Sequence, residues 1–160
     1  RSRGLGDVYK RQVMDFEKFL TNHAEDFKGR NLELIWQFSD AEIESNHDFI
    51  QLIFPTNKRS QNSFHGYYLD NEQVIEKLKN NVEVKANLLK SAAWFLGFLS
   101  RNKSWINGYD HNQLRITRVI ESLRLLVSDE AANEFFQSIL SLVKDPAAIN
   151  PTTIKFWEEA

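Results

Sequence analysis

The sequence predicts an all-α protein, a single-domain irregular bundle of about seven helices. Three observations carry that expectation. Apolar residues recur at helical spacing through most of the chain, and no run alternates as a strand would. Six Gly and three Pro in 160 residues leave few breakers. Twelve Phe and four Trp supply bulky core material, and the apolar fraction of 42% against 26% charged is ordinary for a globular domain.

The elements follow in order. Residues 1–13 are expected to be a non-native leader: the string RSRGLGDVYKRQ lacks periodicity and resembles translated sequencing-adapter sequence, with Met14 as the expected start and 14–160 as the domain. Residues 1–12 carry four basic groups and one acidic, so without them the formal charge of −2 becomes −5. A mildly acidic body argues against general nucleic-acid or membrane-surface binding. Phe16, Phe19 and Leu20 mark an opening helix, and Asn31 can cap a short one bearing Leu32, Ile35 and Trp36. Ser39 to Glu42 has capping-box form and starts a helix read as continuous to Phe54, where Pro55 stops it. On it Asp40, Glu44, Asp48 and Gln51 line one face. Like charges at that spacing cost a few tenths of a kcal/mol, so the face is either solvated or met by cations.

Residues 55–69 have no helical period and form a long loop, and long loops usually have a use. Asp70 with Gln73 is read as opening the next helix, with Asn80-Asn81 a break before the helix 82–100. Gly97 there is expected to allow a close helix contact. Residues 101–110 form a second loop with a turn at Asn107-Gly108. The helix that follows, HNQLRITRVIESLRLL, has a broad apolar face in Ile116, Val119, Ile120, Leu123 and Leu126, with Leu114 and Leu125 nearly opposite. It reads as a central helix touched on two sides. Arg115, Arg118 and Ser122 fall in the gap, where a half-buried guanidinium needs an acceptor. Ser128 caps a helix to Lys144, and Asn150-Pro151 begins a last short one.

Two segments stand out together: His47-Asp48-Phe49-Ile50-Gln51-Leu52-Ile53-Phe54-Pro55 and Asn112-Gln113-Leu114-Arg115-Ile116-Thr117-Arg118-Val119-Ile120. They resemble the conserved domain of the opioid growth factor receptor family, which pairs an H-D/S-Y-I-Q-W-L-F-P helix end with an N-x-L-R-I-T-R-I-L helix. Gly29-Arg30-Asn31-Leu32, Phe38-Ser39-Asp40, Trp105 and a closing helix with Ala131 and Phe135 match in order, so that the likeness covers about residues 29–142. Leu52 and Phe49 stand where the family has Trp and Tyr, and a second Pro near Tyr68 is missing. The resemblance implies reception of an enkephalin-type opioid peptide by a protein associated with nuclei and membranes rather than spanning them seven times. A short, domain-only chain looks like the family's microbial members. The family brings no catalytic residues.

The chemistry left to weigh is modest. With no Cys, thiolate zinc sites and disulfides are excluded, and a reducing intracellular compartment fits. No stretch is long and apolar enough to span a bilayer. The histidines show no metal spacing, no phosphate cradle appears, and no cofactor or metal is expected. Ser60 and Ser63 near His65 are weak evidence for a nucleophile. The expectation is a non-catalytic binding module for a peptide or protein ligand, of unknown oligomeric state. Its contacts would be His47, Asp48, Gln51, Asn112, Arg115, Arg118, Phe64 and Trp105, with an ion pair joining Asp48 or Glu44 to Arg115 or Arg118. Two basic–aromatic loops, with Lys58, Arg59 and Phe64 on one and Arg101, Lys103 and Trp105 on the other, could share a site. The alternative is an enzyme using an acidic/arginine pocket between helices 40–54 and 112–127. Nucleic-acid binding through the four loop cations ranks last.

Overall fold

The computed structural model describes residues 14–59 and 67–160. They form nine α-helices: α1 (Phe16–Leu20), α2 (Leu32–Ile35), α3 (Asp40–Ser45), α4 (Ile50–Ile53), α5 (Glu72–Lys79), α6 (Val82–Arg101), α7 (His111–Leu126), α8 (Asp129–Val143) and α9 (Pro151–Glu159). Short 3-10 turns lie at Lys103–Trp105 and Pro146–Ala148, and no strand occurs among the described residues. The all-α class is therefore the observed one.

Side-chain caps start these helices. Asp15, Asn31, Asn71, Asn81, Asp110, Ser128 and Asn150 each accept a first-turn N–H, and Ser39 with Glu42 completes a reciprocal capping box. The start of α5 differs from the reading at Asp70: Asn71 is the cap, its short amide reaching the amides of both Gln73 and Val74.

α7 is the hub. It touches α4, α5, α6, α8, α9 and the first 3-10 turn, and α7 and α8 pack along their length across a two-residue link. Half its circumference is sealed, from Asn112 and Gln113 round to Arg115 and Ser122. Of the expected second apolar stripe only Leu125 packs against the core, since Leu114 is 56% exposed. The rest of that side is buried by polar groups. Gly97 also differs from expectation: a Cβ there would meet not another helix but Arg101 Nη1 of its own helix, at 3.1 Å. The missing side chain leaves room for that guanidinium to lie back toward Asp40, which it grips through Nε and Nη2 at 3.1 and 2.9 Å.

The aromatics fill the centre. Trp105 and Trp157 are fully buried, their indole N–H groups donating to Leu99 O and Gln113 O. Phe49 meets Phe38 and Trp94 edge-on. Leu52, at the family's Trp position, is core as well.

Candidate functional site

The helix read as 40–54 is broken, and the break shapes the site. α3 ends at Ser45, Asn46 turns extended (φ −87°, ψ 123°), and α4 begins only at Ile50. Asn46 itself competes with helix: its side-chain amide donates to Glu42 O at 2.9 Å. The break sets free the carbonyls of α3's last turn, and the single turn of α4 before Pro55 frees another set.

α7 collects them. Arg115 donates through Nη1 to Ile43 O at 2.9 Å and through Nη2 to Asn46 O at 2.7 Å. Nη1 also reaches Asn112 Oδ1 at 3.2 Å, and Asn112 in turn donates to Glu44 Oε1 at 3.1 Å. One turn on, Arg118 Nε donates to Phe54 O at 2.9 Å and Nη2 to Gln51 O at 3.4 Å. One turn further, Ser122 Oγ donates to Pro55 O at 2.8 Å. The side chains at 112, 115, 118 and 122 form one edge of α7, and that edge is a ladder of donors for a broken helix. A cation at a helix C-terminus also suits the partial negative charge there.

The predicted ion pair is therefore corrected. Neither Arg115 nor Arg118 bonds to Asp48 or Glu44; both guanidinia are spent on main-chain carbonyls. Asp48 faces away from α7, with Lys28 Nζ at 2.5 Å and Arg30 Nη1 at 2.9 Å. Arg30 also holds Asp26 through Nε at 2.7 Å and reaches Asp48 O at 3.4 Å. The acidic stripe meets three separate sets of partners, Asp40 with Arg101 and Asn102, Glu44 with Asn112 and His111, and, beyond the break, Asp48 with Lys28 and Arg30. A continuous helix would have kept Asp48 on the face of Asp40 and Glu44.

Burial lowers the proton affinity of both arginines, opposed for Arg115 by Glu44 and Asp110 and for Arg118 by Glu121. For Asp48 burial pushes the carboxyl up, but hydrogen bonds from Lys28 and Arg30 outweigh it and hold the group below its ordinary value. His47 is lowered by burial and by the Arg115 and His111 charges, against Glu44 and Asp48. Its ring stands edge-on to His111, centroids 5.4 Å apart, and His111 Nε2 lies 2.5 Å from Glu44 Oε2. The structure thus joins two histidines that lie far apart in sequence. Among the described residues, no three His, Asp or Glu side chains gather as a metal ion would need.

The remaining predicted contacts disperse. Gln51 donates to His47 O at 3.4 Å, and its Oε1 is buried without a hydrogen-bond partner. Trp105 has no exposed surface, so it cannot meet a ligand. Phe64, with Ser60, Ser63 and His65, lies outside the described residues. Among the described residues, the cations at the starts of the two basic loops lie at different levels of α7. Lys58 pairs with Glu121, whereas the loop 101–110 delivers the chain to His111, ten residues and roughly 15 Å earlier on α7. Trp36 carries a stacked cation instead, Lys90, at 4.2 Å. Between α3, α4 and α7 the described polar side chains bond to main-chain carbonyls and to one another.

Sequence reasoning gave no role to Arg30 or Asp26. The signal was present: Arg30 stands between Gly29, which adopts φ 74°, and the N-cap Asn31. An arginine fixed between a turn and a cap is positioned to reach across the fold, but the residue 18 positions away that it reaches could not be read.

Comparison with known proteins adds identity to this geometry. The family model described as the opioid growth factor receptor (OGFr) conserved region matches residues 11–145. A mouse opioid growth factor receptor is 30% identical over 106 residues, covering 55% of this chain and 16% of the mouse protein. The rat receptor is 29% identical over 106 residues, covering 55% of this chain and 18% of its own length. The chain thus spans less than a fifth of these curated relatives. No solved structure matches it. No described helix is long and apolar enough to cross a membrane.

Proposed function

The chain belongs to the opioid growth factor receptor conserved-region family, and on that premise we propose that it is a non-catalytic helical binding module for a peptide or protein ligand. The observation that supports the reading is the state of the charged groups. Asp48 is held by two cations, Arg115 and Arg118 by carbonyls, Asp40 by Arg101. General acid–base or nucleophilic work needs such groups to converge on open space with their hydrogen-bonding capacity unspent. Here they are spent on structure: the two arginines hold α3 and α4 against α7, Asp40 ties α3 to α6, and Asp48 ties the start of α4 to the turn around Gly29. The two signature motifs therefore build the scaffold, and the ligand-binding face lies outside the seam. Large apolar side chains remain exposed at the start of α7, Tyr109 at 78% and Leu114 at 56%. An aromatic presented at a loop end is the kind of anchor a peptide partner uses.

The experiment is a calorimetric titration of the chain with an enkephalin-type opioid peptide, the probe that the family resemblance implies. Saturable binding at one site is expected, lost in a Tyr109→Ser, Leu114→Ser variant whose melting temperature is unchanged. Flat heats throughout, or cleavage of the peptide during the titration, would overturn the reading.

A further inference from the structure

We propose that Asn107 is a covalent modification site, and that the loop Ser104–Asp110 is built to convert it, through a cyclic imide with Gly108, into isoaspartate. The inference is independent of which ligand the module binds.

The chemistry needs a free main-chain nitrogen, an activated side-chain amide and room to close a five-membered ring. Gly108 supplies the nitrogen. It is exposed, a Cβ built on it would meet nothing within 4 Å, and among the described residues its N–H donates to no protein acceptor. The Asn107 side chain folds back over this step. Its Oδ1 accepts from Tyr109 N at 2.7 Å, the Asx-turn arrangement, which holds the side-chain carbonyl carbon beside the Gly108 nitrogen. Its Nδ2 donates to Ser104 O at 2.6 Å, fixing the plane of the amide.

In the first step the Gly108 nitrogen attacks Cγ of Asn107. The N–Cγ bond forms, the Cγ–Nδ2 bond breaks, and ammonia leaves carrying the proton lost from the Gly108 amide. The Tyr109 N–H already bonds the oxygen on which negative charge develops. Water then opens the imide. Attack at the former main-chain carbonyl carbon breaks its bond to the Gly108 nitrogen, which takes a proton from the water, and the new carboxylic acid ionises.

Which carbonyl opens is decided by Gln113. This residue is 2% exposed, and its Nε2 donates at 2.9 Å both to Asn107 O and to Trp105 O. The donor sits on the main-chain oxygen, so it polarises the carbonyl whose opening gives isoaspartate. The product keeps both hydrogen bonds with roles exchanged. The old side-chain oxygen becomes the main-chain acceptor for Tyr109, and the old main-chain oxygen becomes a carboxylate accepting from Gln113, a stronger bond than before. An anion then stands beside exposed Tyr109.

The test holds the intact chain at neutral pH and physiological temperature, in parallel with the same chain unfolded in guanidinium chloride. Conversion is followed by the gain of one mass unit in the peptide carrying residue 107 and by labelling with an isoaspartyl methyltransferase. The folded chain is expected to convert at least as fast as the unfolded one, with a higher isoaspartate-to-aspartate ratio. Gly108→Ala should slow conversion several-fold without moving the melting temperature, and Gln113→Met should lower the ratio. Slower conversion in the folded chain than in the unfolded one overturns the proposal, as does a product ratio equal in the two states. That comparison needs no variant and decides the matter even if Gln113→Met fails to fold.

Discussion

Replacing Arg115 with Met removes the guanidinium and keeps most of the aliphatic stem, so it isolates the capping role. Two main-chain acceptors lose their donor, Ile43 O and Asn46 O. A stranded buried polar group costs about 1–3 kcal/mol. The Ile43 bond is buried and belongs at the upper end of that range, whereas the Asn46 bond is part-buried and water can replace it cheaply. Some of the loss is returned, because a cation whose burial already weakens its hold on its proton no longer has to be desolvated. The net loss should be about 2–4 kcal/mol, a large part of the 5–15 kcal/mol typical of a domain. Arg115→Ala should cost about 1 kcal/mol more, through the lost aliphatic stem, whereas the guanidinium carbon's contact with the Phe49 ring at 5.7 Å is lost in both variants. Arg118→Met should cost less than Arg115→Met, since one of its two bonds is long at 3.4 Å. Urea denaturation followed by far-ultraviolet dichroism measures all three. A double-mutant cycle of Arg115→Met with Glu44→Gln should show coupling below about 1 kcal/mol, because no direct hydrogen bond joins the two side chains and Asn112 bridges them. A loss under about 1 kcal/mol for Arg115→Met, or strong coupling to Glu44, would refute the capping argument and restore the carboxylate pair.

Three further outcomes are expected. Asp48→Asn should cost about 2–3 kcal/mol at neutral pH, below the full penalty for breaking a buried pair because Arg30 keeps Asp26. The Asp48 carboxyl is held below its ordinary 3.8 in the folded chain, so its contribution is full above that value and drains away as pH falls through the folded one. Asp48→Asn should therefore flatten the acid limb of a stability-against-pH curve; an unchanged limb would show that the pairing does not matter. Ser39→Ala should cost about 1 kcal/mol by opening the capping box of α3, seen as a lower urea midpoint with unchanged slope. Lys144→Gly should gain about 1 kcal/mol, because Lys144 sits at φ 66°, ψ −60° in a tight turn where Asp145 N donates to Val143 O at 2.7 Å. A lower midpoint for that variant would show that the turn relaxes without glycine.

How much was legible follows from range. Capping at Ser39, Asn31, Ser128 and Asn150, and the stop at Pro55, depend on residues three or four apart, and the sequence states them directly. The buried face of α7 was legible for the same reason, since periodicity alone places Ile116, Val119, Ile120 and Leu123 together. The continuous helix over 40–54 was the error with the most consequence. Asn46 and Asp48 are weak helix breakers, and no local rule says that a guanidinium 69 positions away will donate to the carbonyls such a break exposes.

The chain by itself determined its class, the caps at Asn31, Ser39, Ser128 and Asn150, and the fact that Arg115 and Arg118 needed acceptors. Only the tertiary structure decided which acceptors they found. Electrostatics favours a carboxylate, but a helix interrupted against α7 presents its own carbonyls first, and they leave no room for one. The same is true of Asp48, whose partners come from the turn around Gly29, and of the two histidines that meet across the break. Local spacing fixes which face of a helix is buried; what lies opposite that face depends on how distant segments dock.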